Sequence, residues 1–99
     1  MQVCFVSYPF SRDRETNEGL VVRIARRLAL EGYLPIAPQI YLPRFVREDS
    51  ERELGLGLCL RLVSLADDLR VYGSPTEGML REIAEARRMG LPVVQGELP

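Results

Sequence analysis

Short apolar runs alternate with longer amphipathic stretches along this chain, and the alternation predicts strand–helix units. Val3–Val6 is an apolar run too short for a helix, bounded by Tyr8-Pro9, and reads as a buried strand. Pro9–Thr16 is polar and reads as a loop. Asn17 is the expected N-cap of the helix that follows, in which Val21, Ile24, Ala25 and Leu28 recur at helical spacing and Gly32 makes the stop. Leu34–Ala37 is a second strand, ended by Pro38, with Pro43 holding the next loop extended. Between Asp49 and Asp68 the leucines at 54, 56, 58, 60 and 62 alternate like a strand, while Leu54, Leu58, Leu62 and Leu65 fit a helix. The length of the stretch favours the helix, although Gly55 and Gly57 suit neither. Such a helix, apolar almost all round, should be buried on more than one side, by a second subunit in one reading. Leu69–Tyr72 is a third strand. Ser74-Pro75-Thr76-Glu77 resembles a capping box with proline at the first helical position, opening a helix that runs to Met89 and stops at Gly90. Leu91–Val94 is the last strand.

Four strands alternating with three helices imply right-handed crossovers and a parallel sheet. The expected architecture is an α/β, flavodoxin-like, doubly wound three-layer sandwich with strand order 2-1-3-4, one domain over residues 1–99. In such sheets ligands bind at the carboxyl ends of the strands, where the strand order reverses. That point lies between the first and third strands, flanked by the loops Ser7–Thr16 and Gly73–Gly78.

Composition narrows the chemistry. The net charge of -1 argues against a general nucleic-acid surface but allows a local cluster for a small anion. All 13 basic residues are arginine, and there is no Lys, His or Trp. A Schiff-base lysine, an imidazole base and a histidine metal ligand are therefore excluded. No metal or cofactor is expected. Cys4 and Cys59 form no CxxC motif and read as buried free thiols of a reducing compartment. No stretch approaches the roughly 20 apolar residues of a membrane span, and no secretion signal is visible, so the expected location is the cytoplasm.

Around the second loop, Thr76 and Gly78 fall in the first helical turn, where unpaired N–H groups favour an anion. With Met79, Ile83 and Ala86 as the buried stripe, Glu82 lies at its border, and Arg81 and Glu85 point to solvent. A border carboxylate beside an anion-binding turn could attack or stabilise a sugar carbon. The same residues also make an ordinary helix cap with an edge acid. In the first loop, Arg12 and Arg14 could grip a phosphate and Tyr8 could stack on a ring, or both arginines could simply be solvated. Asp67 and Asp68 read as loop acids, and Tyr33 and Tyr41 as packing residues.

The spacing Thr76-x-Gly78-Met79-x-x-Glu82-Ile83, followed by Ala86 and Gly90-x-Pro92-Val93, resembles the nucleoside 2-deoxyribosyltransferases, a family that includes small nucleotide N-glycoside hydrolases. Ala66-Asp67 entering strand 3 fits as well. A group of uncharacterised small proteins related to that superfamily is matched along nearly the whole chain. The match runs through Ser7-Tyr8, Asn17, Gly32-x-x-Pro35-x-Ala37-Pro38, Tyr41-Leu42-Pro43-x-Phe45, Glu51-Arg52-x-Leu54-Gly55 and Asp68-Leu69-x-Val71-Tyr72-Gly73. The resemblance implies that Glu82 is a nucleophile at the anomeric carbon, with Thr76 and Gly78 holding the 5′ end of a nucleotide. It places Ser7, Tyr8, Arg12, Arg14, Asn17, Gly73 and Met79 around the substrate. The implied partner is a small nucleoside or nucleotide, and a homo-oligomer is expected. The alternative is a non-catalytic nucleotide-binding module of the same fold. One departure stands out: the enzymes carry a second acid whose place here is near Cys59, leaving Asp49, Glu51 or Glu53 as the acids that could substitute from the loop.

Overall fold

The computed structural model describes residues 1–9 and 14–99, and for 14–18 only the course of the backbone. Among the described residues, β1 (Val3–Ser7), β2 (Leu34–Ile36), β3 (Asp68–Val71) and β4 (Val93–Gln95) form one parallel sheet in the order β2-β1-β3-β4. The expected topology holds, with strand ends shifted by one or two residues.

Side-chain alternation along the two central strands sorts the core into two halves. Cys4 and Val6 of β1, with Tyr8 and Tyr72, pack against Val21, Ile24 and Leu28 of α1 (Arg14–Leu30). Phe5 of β1, with Leu69 and Val71 of β3, packs on the opposite face against Val63 of α3 (Arg52–Val63) and Met79, Ile83 and Ala86 of α4 (Glu77–Arg88). Each large apolar side chain fully buried in this way contributes about 1.5–3 kcal/mol. The same alternation puts Ser7 on the α4 face, one residue past Val6 at the carboxyl end of the central strand. That placement builds the site.

Several local expectations change. The first helix starts at Arg14, so Asn17 sits inside its opening turn rather than capping it. Pro38 does not merely end β2. It opens a short helix α2 (Pro38–Tyr41), where its missing N–H costs nothing, and a 3-10 turn over Leu42–Arg44 replaces the extended loop expected around Pro43. The ambiguous leucine stretch is helical. It is not buried on more than one side within the chain: Val63 is buried, whereas Leu54 is 52% exposed. At α4 the cap is Thr76, two residues beyond the expected Ser74, so Pro75 stays outside the helix. Both predicted glycine stops are present. Gly32 and Gly90 take positive φ, and the following N–H reaches back from Tyr33 to Leu28 O (3.0 Å) and from Leu91 to Ala86 O (2.8 Å).

The tail after β4 closes over β3, with Gly96 N–H donating to Val71 O at 2.8 Å. A methyl group at Gly96 would run into the buried Tyr72 ring. Gly96→Ala should therefore destabilise the protein by about 1–3 kcal/mol in urea denaturation. An unchanged midpoint would mean that the tail moves aside freely.

Candidate active site

A cavity of about 770 Å³ opens at the carboxyl ends of β1 and β3, the topological switch point of the sheet. Its floor is the first turns of α4. Thr76 Oγ1 accepts from Met79 N–H at 3.3 Å, and Met79 Sδ accepts from Thr76 N–H at 3.5 Å, a reciprocal cap in which a thioether replaces the usual carboxylate. The next first-turn donors, the N–H groups of Glu77 and Gly78, have no intrahelical acceptor, and Gly78 lies on the cavity wall. Four residues on, and so on the same helical face, stands Glu82.

Glu82 is 7% exposed, yet it lines the cavity. It is an inward residue, not a border one. Ser7, wholly buried at the end of β1, donates its hydroxyl hydrogen to Glu82 Oε1 at 2.8 Å. Burial pushes the Glu82 carboxyl from 4.5 up to about 7, against the pull of the Ser7 and Cys59 donors, which favour the charged form. At neutral pH the group is thus poised between its two forms.

The other sequence candidates separate. Thr76, Gly78, Met79 and Tyr8 all reach the cavity wall; Tyr8 is also buried against the α1-side core. Gly73 does not reach the wall. It forms the turn after β3 with φ +75, beside the Pro9 ring. Arg12 and the side chains of Arg14 and Asn17 lie outside the described residues. Glu85, expected in solvent, is half-buried and paired with Arg88, while Arg81 is exposed as expected. Asp67 and Asp68 serve the opposite end of the sheet, where they accept from Val3 N–H (2.7 Å) and Gln2 Nε2 (2.9 Å). Tyr33 packs under the Arg70 guanidinium at 4.3 Å, and Tyr41 packs on Phe45.

A family profile described as "Domain of unknown function (DUF7768)" matches residues 2–95. The chain belongs to this family. No curated protein sequence matches it. Among solved structures, the 2-deoxyribosyltransferase of the psychrotolerant bacterium Bacillus psychrosaccharolyticus is similar with a TM-score of 0.76 at 17% identity, over 96% of this chain and 72% of that one. The 2-deoxyribosyltransferase from Leishmania mexicana is similar with a TM-score of 0.74 at 11% identity, over 98% of this chain and 65% of that one. At these identities the likeness is one of fold, and the flavodoxin-like sandwich is shared.

Within this DUF7768 domain the cavity also holds residues that sequence reasoning passed over. Gln39, buried in α2, donates through Nε2 to Val6 O at 3.0 Å, and this contact fixes which end of the amide is oxygen. Its Oε1 has no protein partner among the described residues. The signal was a lone polar residue between Pro38 and Ile40 just past β2, at the carboxyl end of the sheet. Cys59 is expected from the sequence as a buried free thiol. It is instead half-buried on the wall, beside Glu82, and burial with the neighbouring carboxyl raises it to about 12. Of the three loop acids, Asp49 and Glu51 reach the wall, joined by Glu48, whereas Glu53 turns outward to Arg81 at 3.6 Å. Glu51 already accepts from Arg47 N–H at 2.8 Å, which leaves Glu48 and Asp49 as the open carboxyls. Among the described residues no three His, Cys, Asp or Glu side chains converge as metal ligands.

Proposed function

We propose that this chain cleaves or transfers the N-glycosidic bond of a nucleoside or nucleotide, with Glu82 as the attacking carboxylate. The observation that carries the reading is a buried acid aimed into a cavity, one turn from free main-chain donors and oriented by Ser7. The shared fold with two 2-deoxyribosyltransferases supports the same reaction class.

In this reading the sugar lies over Glu82, and its 5′ end or phosphate meets Thr76 and the Gly78 turn. The base extends toward Tyr8 and Gln39, whose free oxygen can accept a base N–H. Glu82 forms a bond to the anomeric carbon as the C–N bond breaks. The bonding pair leaves with the base nitrogen, which takes up a proton from Asp49, Glu48 or water. Water or a second base then attacks the same carbon, displaces the Glu82 ester and regenerates the carboxylate. Two displacements retain configuration.

Incubation with a panel of deoxynucleosides and their 5′-monophosphates should release free base. Glu82→Gln should lower the rate about a thousandfold or more. Thermal stabilisation by a nucleotide without any release would sink the enzyme reading and leave a binding module. No response to any member of the panel would remove both.

A further inference from the structure

Gly57 stands in the middle of α3, where glycine is a destabilising choice. Gly55 has a reason within the chain, since a Cβ there would touch Val46 Cγ1 at 3.4 Å. Gly57 has none among the described residues. Its backbone is helical, its φ is not positive, and no described atom lies within 4 Å of where a Cβ would stand. The position is exposed. The cavity-lining residues Arg52, Gly55, Leu56 and Cys59, with the buried Val63, mark the inner side of α3. At about 100° per residue, Gly57 falls on the opposite side.

Two ridges of side chains cross at Gly57. The three-residue ridge is Leu54, Gly57 and Leu60, and the four-residue ridge is Glu53, Gly57 and Arg61. Leu54 is half exposed, Leu60 is incompletely buried, and Glu53 and Arg61 are exposed. Leu65, just past the helix and 56% exposed, adds apolar surface. Both ridges are symmetric in spacing about the glycine, and the charges at the two ends of the second are opposite. A two-fold axis at Gly57 therefore sets Glu53 of one copy against Arg61 of the other, and Leu54 against Leu60, each contact being made twice. A second copy of this chain supplies that complement by symmetry alone.

We propose that the outer face of α3 docks antiparallel on the same face of a second copy of this chain, with the two helices crossing at Gly57. The missing Cβ lets the two backbones approach closely. Within the chain Glu53 pairs with Arg81 at 3.6 Å, and Arg61 donates to Ser64 Oγ at 2.7 Å. Both contacts are exposed, and exposed pairs of this kind hold weakly enough to exchange partners. The contact is small. A 12-residue helix is about 18 Å long. A stable interface takes about 800 Å² per partner, roughly an eighth of the 6071 Å² surface of this chain. Pairing is therefore reversible, with a Kd on the order of 10–100 µM. The cavity lies on the inner side of α3, so pairing does not close it.

Sedimentation equilibrium of the full chain over about 5–500 µM should show monomer and dimer exchanging with that Kd. Arg61→Glu sets like charges opposite each other twice and should weaken pairing about tenfold to fiftyfold. The double variant E53R/R61E should recover to within about threefold, with Glu53→Arg alone completing the cycle. Gly57→Gln puts two side chains at the crossing and should weaken pairing about thirtyfold or more. The same variant should raise the melting temperature of the dilute monomer by about 2–5 °C, because glutamine is the better helix former. Backbone amides of residues 53–61 should exchange more slowly as protein concentration rises. A wild-type chain that stays monomeric over the whole range overturns the proposal. A dimer indifferent to both Arg61→Glu and Gly57→Gln, or protection confined to another element, overturns it equally, because the copies then meet elsewhere. Failure of the double variant to recover overturns the two-fold register.

Discussion

Glu82→Gln should make the protein more stable, by about 2–3 kcal/mol at about pH 8, and by almost nothing at about pH 5. The folded carboxyl titrates near 7 because burial disfavours its charge, whereas the unfolded one titrates near 4.5. Between those values the folded chain holds a proton that the unfolded chain has lost. Stability contributed by this group therefore falls as pH rises from 4.5 to 7, and above 7 the full cost of a buried charge, about 3 kcal/mol, is present. Glutamine is uncharged at every pH and still accepts from Ser7, so it removes that cost. Its amide N–H groups need new partners, which trims the gain. For a chain of this length the melting temperature should rise on the order of 10 °C at the alkaline condition. Parallel melts at the two pH values read this directly. Equal stability of the two proteins at about pH 8 would mean that the carboxyl is well solvated. Under the proposed function the same substitution should lower base release about a thousandfold or more, the pattern of a site in which stability is exchanged for reactivity.

The second large effect is on the pH profile. If the ionised form attacks, kcat/KM should climb through a midpoint near 7 and level off above it. Ser7→Ala removes a 2.8 Å hydrogen bond that favours the charged form. Its midpoint should move up by about one pH, lowering the rate near neutrality roughly fivefold while the alkaline plateau is largely kept. A profile that falls with rising pH through 7 would assign Glu82 the opposite role, as a proton donor, and would remove it as the nucleophile.

The sheet was readable because its strands are short apolar runs separated by glycine stops and helical spacing, signals that survive without tertiary information. Boundaries moved where two rules compete. Pro38 both ends a strand and starts a helix, and the structure uses the second property. Ser74 and Thr76 can each cap, and Thr76 wins because the Met79 sulfur can return its bond. Gly55 looked wrong for a helix, but a Cβ there would touch Val46 Cγ1 at 3.4 Å, so the small residue suits the loop that packs against it. Glu82 could be placed on the correct helix from its spacing. Its depth could not, because periodicity gives an angle around the helix axis and not the height of the neighbouring wall. Ser7 was visible as the first residue of the loop after the strand, and the structure adds it to β1; its partner was not visible, since the two are 75 positions apart. Gln39 and Cys59 were hidden for the same reason. Each is an isolated polar residue in an apolar setting, whose place on the cavity wall appears only once α2 and α3 close over the strand ends.

The proposed reaction requires a covalent bond between Glu82 and the sugar. Protein quenched in acid during turnover of a deoxynucleoside, then weighed intact and mapped by peptide, decides it. A fraction should carry one added deoxyribosyl group on the peptide containing Glu82, with none in Glu82→Gln. Sustained base release with inversion at the anomeric carbon and no such adduct would remove Glu82 as the nucleophile.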